Sequence, residues 1–165
     1  MSEQMNALYE KSIEVRWADC DANQHMRHSA YADLCTHARI GLLDLNGINA
    51  QYLEQQGLCI VLFKEQTEYF LETFMGDVLR ITVEAGEASV SRKSFNVIAR
   101  MYLASGALAA QNQVVVGFMD VKLRKIVPVP KIMRQIFNNE LSRSMPTAVF
   151  AAHHGGINAN SHSLV

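Results

Sequence analysis

The sequence predicts an α+β fold, in which a five-stranded, mostly antiparallel sheet packs against one long helix. One segment of about 18 residues repeats apolar residues at steps of three and four, the spacing of an amphipathic helix. Five other segments alternate apolar with polar residues or are rich in β-branched and aromatic residues, as strands are. The last four of these segments are joined by short turns, which favours antiparallel pairing.

The first strand and the long helix come next to each other in the sequence. The strand is predicted from Ser12 to Asp19, where alternate residues are apolar: Ile13, Val15 and Trp17. The helix is predicted from about His28 to Leu45, and its apolar residues share one face: Tyr31, Leu34, Cys35, Ala38, Leu42 and Leu45. Asn46-Gly47 is a typical helix stop signal, and a short second helix fits between Asn49 and Gln56.

Four strands and a closing helix are predicted in the second half of the chain. The strands run from Leu58 to Glu72, Val78 to Ala85, Ser94 to Ala104 and Leu108 to Val121. Turns are predicted at Met75-Gly76-Asp77 and at Ser105-Gly106, and Gly117 is a weak point of the last strand. After Pro130, apolar residues recur at helical spacing, which predicts the closing helix.

A sheet that carries one helix leaves apolar surface uncovered. Residues Leu58 to Phe63 are apolar on both faces of their strand, so we expect strand edges to pair between copies in a homodimer or homotetramer. A single domain is predicted to span residues 1–141. Residues 142–165 are rich in Ser, Ala, Asn, Gly and His without periodicity, and we expect them to form a poorly ordered tail.

The overall charge argues against several classes of partner. The 165 residues include 15 Lys and Arg against 16 Asp and Glu, a formal net charge of −1. A chain without excess positive charge is not expected to bind nucleic acid or an anionic membrane. The first residues lack the features of a signal peptide, and no segment is apolar enough for a membrane span, so we expect a cytoplasmic protein. The three cysteines show no CxxC spacing, which argues against a disulfide framework.

Polar side chains concentrate between the first strand and the long helix, in residues 17–31, WADCDANQHMRHSAY. They could do no more than shape a turn. They could bind a metal through Asp19, Asp21, His25 and His28, although this spacing matches no common metal motif. Cys20 is a poor candidate nucleophile, because its neighbouring carboxylates disfavour a thiolate.

A carboxylate beside a helix N-terminus is the fourth interpretation of this stretch. The first turn of a helix has unpaired backbone N–H groups and the positive end of the helix dipole, so it stabilises a carbonyl oxygen that gains negative charge. An aspartate a few residues upstream could attack the same carbonyl carbon or activate a water. Such a site needs neither a metal nor a cysteine.

Three stretches of the chain resemble hotdog-fold acyl-CoA thioesterases of the 4-hydroxybenzoyl-CoA thioesterase class. The first, VRWADCDANQHMRHSAYADLCTHAR, resembles their Asp-x-Asp element, loop and helix start; its matching residues are Asp19, Asp21, His28, Ser29, Ala30 and Tyr31. The other two, GDVLRITVEAGEASVSRKSF and VVVGFMDVKLRKIVPVP, resemble the family's Gly-Asp hairpin and its last strand. The resemblance covers about residues 10–137 and implies the hotdog fold, an antiparallel sheet wrapped around one long helix.

The resemblance implies that the protein is a thioester hydrolase and suggests roles for several residues. Asp21 matches the catalytic carboxylate, and the backbone N–H of His28 matches the donor that polarises the thioester carbonyl. Residues implied to bind substrate or CoA are Tyr31, Arg92, Lys93 and Ser94. The resemblance implies no metal, and no cofactor beyond the CoA thioester that serves as substrate.

The loop DANQHM departs from this pattern and also resembles other hotdog branches, including plant acyl-carrier-protein thioesterases. Asn23 and His25 are therefore candidate accessory residues without an assigned role. Two other functions stay open: a hotdog dehydratase or hydratase that uses Asp21 with His25, and a non-enzymatic module that binds acyl-CoA. The acyl group and the choice between CoA and an acyl carrier are not indicated by the sequence.

Overall fold

The computed structural model describes residues 7–88 and 92–137, with only the backbone at residues 87 and 88. The described strands are β1 (Ala7–Glu14), β2 (Leu58–Tyr69), β3 (Val78–Ala88), β4 (Ser94–Tyr102), β5 (Leu108–Asp120) and β6 (Lys125–Val127). The described α-helices are α1 (His28–Leu45), α2 (Ala50–Gln56) and α3 (Lys131–Phe137). The predicted tail, residues 142–165, lies outside the described residues. Residues 1–6 and 138–141, the two ends of the domain predicted over 1–141, also lie outside them.

The strands form one antiparallel sheet in the order β1-β3-β4-β5-β2, and β6 pairs with the end of β5. The five long strands confirm the predicted sheet, whereas the three-residue β6 is not predicted. Although β2 is second along the chain, it forms one edge of the sheet and β1 forms the other. The long connection through α1 carries the chain across the face of the sheet from one edge to the other.

Helix α1 spans the predicted residues and packs its apolar face on the sheet. Its buried residues recur at helical spacing: Ala30, Tyr31, Leu34, Cys35, Ala38, Leu42 and Leu43. They belong to the same apolar core as alternate residues of β3 and β4: Leu79, Ile81, Val83, Val97, Ala99 and Met101. Burial raises the pKa of Cys35 to about 12, so this thiol stays protonated at neutral pH.

The first strand begins and ends five residues earlier than predicted, at Ala7 and Glu14. Residues Trp17–Asp19 form a 3-10 turn instead, because the carboxylate of Asp19 accepts hydrogen bonds from the backbone and the guanidinium of Arg16. Trp17, which the alternation places on the buried face, is 81% exposed. A local hydrogen-bonding side chain has overridden the period-two pattern here.

Gly117 continues β5 without a break, contrary to the predicted weak point, and pairs with Val61 and Ser94. A Cβ atom at this position would lie 2.6 Å from the ring of Phe63 and 2.8 Å from the carbonyl oxygen of Lys93. Glycine is needed here because ring and backbone approach the strand too closely for a side chain.

The edge formed by β2 exposes large apolar side chains. These are Leu62, Phe63 and Tyr69 on the strand and Phe70 and Leu71 directly after it. Within the described residues β2 pairs on one side only, with β5. The predicted association of strand edges would cover this surface.

None of the helices in the described ranges is long and apolar enough to cross a membrane.

Candidate active site

Asp19 anchors the chain where it leaves β1. Its carboxylate is buried and accepts two hydrogen bonds from the guanidinium of Arg16, at 2.9 and 2.8 Å, and a third from the Arg16 backbone at 3.0 Å. The bonds from Arg16 hold the pKa of Asp19 below its ordinary value of 3.8. The backbone N–H of Arg27 also donates to the Asp19 carbonyl, at 2.8 Å. Asp19 therefore serves to fix the turn and the start of the following helix.

Asp21 lies two residues further on, in an exposed loop that folds back on itself. Cys20 and Met26 pair at the base of the loop, and the backbone N–H of Asp21 donates to the His25 carbonyl at 2.9 Å. One carboxylate oxygen, Oδ1, accepts the Asn23 backbone N–H at 2.8 Å. Within the described residues Oδ2 has no hydrogen-bond partner. The loop therefore holds the carboxylate of Asp21 toward solvent with one oxygen available for chemistry.

Helix α1 begins two residues after this loop closes, with Arg27 as its N-cap residue. The Arg27 side chain makes no capping bond to the first turn; its guanidinium instead bonds to the Ala18 carbonyl at 3.4 Å and to the Ser29 hydroxyl. The backbone N–H of His28, the predicted donor, is thus at a helix start whose N–H groups donate no hydrogen bond to the side chain of the N-cap residue. Such a helix start stabilises negative charge on a nearby oxygen.

Two tyrosines and a threonine hold this helix start on the sheet. The hydroxyl of Tyr31 is 3.0 Å from that of Thr73, and burial raises the pKa of Tyr31. Tyr69, from the end of β2, packs edge-on against the Tyr31 ring at 5.0 Å and donates to the His28 carbonyl at 3.4 Å. The sequence does not single out Tyr69 or Thr73, because they lie about 40 residues away in the chain. Tyr31, a predicted substrate contact, has its hydroxyl engaged inside the protein.

His25 faces the segment between β2 and β3 rather than the Asp21 carboxylate. Its ring packs edge-on against the ring of Phe74, with 5.1 Å between the ring centres, and its Nδ1 lies 3.7 Å from a carboxylate oxygen of Glu72. The structure therefore separates the candidate metal ligands, since Asp19 bonds to Arg16 while His25 turns to Glu72. Across residues 7–88 and 92–137, no group of three or more His, Cys, Asp or Glu side chains is arranged to hold a metal ion.

Arg92, Lys93 and Ser94 lie at the opposite end of the sheet from the helix start. Tyr69, which contacts His28, is level with Ala110 on β5 and with Met101 on β4. Ser94 begins β4 and is seven residues from Met101, or about 23 Å along the strand. Within one chain the structure therefore does not bring these three residues to Asp21.

The comparisons with known proteins agree with the observed architecture. A family model described as the thioesterase-like superfamily matches residues 15–137. A search among curated proteins found no significant match.

Several solved structures share the fold of this chain. A 1,4-dihydroxy-2-naphthoyl-CoA thioesterase from Synechocystis is 20% identical, covers 79% of this chain and 96% of its own, and superposes with a TM-score of 0.73. A hypothetical protein from Staphylococcus aureus, solved in complex with CoA, is 18% identical and covers 98% and 100%, with a TM-score of 0.76. A DHNA-CoA thioesterase from Staphylococcus aureus is 16% identical and covers 81% and 91%, with a TM-score of 0.71. The predicted hotdog fold is confirmed.

Proposed function

Because the chain belongs to the thioesterase-like superfamily and is a thioester hydrolase, we propose that it hydrolyses an acyl-CoA to the free acid and CoA at Asp21. The observation that carries this proposal is the exposed carboxylate of Asp21 in a loop that closes directly before the uncapped start of α1. Asp19 is the weaker candidate, because its carboxylate is buried and already bonded to Arg16.

The reaction follows from the two groups. The thioester carbonyl oxygen accepts the backbone N–H of His28, and the positive end of the helix dipole stabilises the oxygen as it gains charge. Asp21 either removes a proton from a water that attacks the carbonyl carbon or attacks that carbon itself, forming an acyl anhydride that water then hydrolyses. In both routes the carbon–sulfur bond breaks and the CoA thiolate leaves and takes up a proton. Water is the only other reactant, so no cofactor or metal enters the proposal.

The CoA phosphates are proposed to contact Arg92, Lys93 and Ser94 of a second copy. If β2 edges pair antiparallel in a homodimer, the Asp21 end of one sheet lies beside the Ser94 end of the other. The exposed apolar residues of β2 support this edge as the contact, and a homodimer or homotetramer built through it stays our prediction. The arrangement would place cations near the CoA phosphates in a chain of near-zero net charge.

A thiol-release assay over acyl-CoA thioesters of increasing chain length tests the proposal. Wild type should release thiol, and Asp21→Asn should lower kcat by at least about 100-fold, because amide nitrogen and oxygen neither attack nor accept the proton. The matched control is Asp33→Asn, an exposed aspartate on α1, which should keep full activity. A wild type that releases no thiol from any acyl-CoA or acyl-carrier substrate contradicts the proposed activity. Full activity of Asp21→Asn would show that the wrong carboxylate is assigned.

A further inference from the structure

A cavity of about 310 Å³ lies between the second half of α1 and the sheet. Small-molecule sites in proteins begin at about 300 Å³. Its walls come from α1, four strands and α3 and are mainly apolar: Leu42, Leu43, Ile60, Val97, Val116 and Phe137. Two further lining residues, Ile40 on α1 and Leu62 on β2, are about half exposed, so in the single chain the cavity opens between this helix and the β2 edge.

One wall of this cavity is polar. Arg39 on α1 and Glu65 on β2 both line it, with 3.7 Å between guanidinium and carboxylate. The Arg39 guanidinium also donates to the Thr36 hydroxyl at 2.7 Å and to the side-chain oxygen of Asn112. The Asn112 amide in turn donates to Glu65 at 3.0 Å. We call Arg39, Glu65 and Asn112 the Arg39 cluster.

The charges of the Arg39 cluster decide which ligand group fits beside it. Glu65 already pairs with Arg39, so a ligand carboxylate would place two anions beside one cation, and their like charges would repel each other. A hydroxyl group can accept a hydrogen bond from the guanidinium and donate one to the carboxylate. A purely aliphatic ligand would use neither group. The polar wall is therefore complementary to a neutral hydroxyl on an otherwise apolar ligand.

The cluster is far from the proposed reaction centre but on the same helix. Arg39 follows His28 by eleven residues, about three turns, so it lies about 16 Å further along α1 on nearly the same side. A short acyl group held at the helix start would end well before the cavity. Only the distal part of a medium or long chain extends that far.

We propose that this cavity binds the distal part of the acyl group and that the Arg39 cluster selects chains with a hydroxyl there. The inference rests on the proposed thioesterase function and adds its substrate class, a medium- or long-chain hydroxyacyl thioester.

The test compares kcat/KM for three thioesters of equal chain length: dodecanoyl-CoA, ω-hydroxydodecanoyl-CoA and dodecanedioyl-CoA. Wild type should prefer the ω-hydroxy chain over both others by about tenfold, the effect of one hydrogen bond with a charged group. Glu65→Gln leaves the charge of Arg39 unbalanced and should shift the preference to the ω-carboxyl chain. Glu68→Gln, on the same strand but outside the cavity lining, is the matched control and should behave as wild type.

Binding of the free acids, measured by calorimetry, separates this inference from the proposed function. If no thioester is hydrolysed but wild type binds ω-hydroxydodecanoic acid about tenfold more tightly than dodecanoic acid, the cavity inference stands and the proposed activity fails. If thioesters are hydrolysed while rates and affinities show no preference for the hydroxyl, the cavity inference is wrong. Arg39→Lys, which keeps the charge but loses the planar donor pair, should reduce the preference and serves if Glu65→Gln does not fold.

Discussion

The polar groups beside the two halves of α1 differ in how exposed they are and in how far apart their hydrogen-bond partners lie in the sequence. At the start of α1 lies the Asp21 loop, residues 20–26, where Asp21 is exposed and its hydrogen bonds reach residues at most four positions away. Along its second half, the Arg39 cluster contains a fully buried asparagine, and its bond from Arg39 to Asn112 spans 73 residues. The loop belongs to one short stretch of chain, whereas the cluster joins α1, β2 and β5.

This difference predicts different responses to substitution. A polar group in water loses little when a partner is removed, because water replaces that partner. A buried donor or acceptor keeps the cost of its desolvation without the compensating bond. Substitutions of the exposed residues in the Asp21 loop should therefore have little effect on stability, and the substitution of Asp21 itself should change the reaction. Substitutions in the Arg39 cluster should lower stability.

The largest expected effect is that of Asn112→Leu. The side chain of Asn112 is fully buried and bonds to Arg39, Glu65 and Thr67, and leucine can make none of these bonds. We expect the free energy of unfolding to fall by about 3 kcal/mol, measured by urea denaturation.

The matched control for Asn112→Leu is Gln113→Leu, one residue further along β5 on its exposed side. This control should change the free energy of unfolding by less than about 0.5 kcal/mol. Equal effects of the two substitutions would remove the distinction between the buried cluster and an ordinary polar surface.

Asp19→Asn is expected to have the second-largest effect, and it depends on pH. Because the folded-state pKa of Asp19 is lowered, its stabilising contribution is present above the ordinary value of 3.8 and is lost as pH falls through the folded-state pKa. Wild type should exceed Asp19→Asn by about 1.5 kcal/mol at pH 7, and the two should converge at the acid end of a denaturation series. A constant difference down to the lowest pH would contradict the assigned pKa shift.

Most of the fold follows from patterns that are local in the sequence. The bounds of α1 are correct because its apolar spacing and its stop signal agree. The predicted end of β1 is wrong because the carboxylate of Asp19 accepts hydrogen bonds from the backbone and side chain of Arg16. The alternation of apolar and polar residues carries no information about such a bond. The close approach of Phe63 that requires Gly117 comes from a strand 54 positions earlier in the sequence, so a single glycine looks like a weak point.

The candidate site likewise contains residues that the sequence alone identifies and residues that only the fold brings together. Asp21 and the His28 backbone N–H lie in one contiguous motif, so the sequence alone points to both, and their roles stay predictions. Tyr69 reaches His28 through the fold of the sheet. The Arg39 cluster is missed altogether, because an Arg on a helix and a Glu on a strand look like unrelated surface charges until the fold brings them within 3.7 Å of each other. Partners that are distant in the chain need the tertiary structure to be recognised.

Tyr31→Phe changes a buried residue in the first half of α1, the half that follows the exposed Asp21 loop. The buried Tyr31 hydroxyl bonds to Thr73, so its loss should lower the free energy of unfolding by about 1 kcal/mol. KM should stay within about twofold of wild type, because the hydroxyl is engaged inside the protein. Tyr69→Phe, whose hydroxyl is exposed, should have a smaller effect on stability. A raised KM with unchanged stability would instead support the direct contact of Tyr31 with substrate that the family resemblance implies.

Asn23→Ala should have the smallest effect of these substitutions, although Asn23 lies two residues from the proposed catalytic carboxylate. The bond from Asn23 to Asp21 is donated by its backbone N–H, which alanine retains. The residue is exposed, so stability should change by less than about 0.5 kcal/mol. The thiol-release rate should stay within about threefold of wild type, since the Asp21 loop keeps its turn. A loss of kcat as large as that of Asp21→Asn, with stability unchanged, would mean that the Asn23 side chain takes part in the reaction and that the loop does more than position one carboxylate.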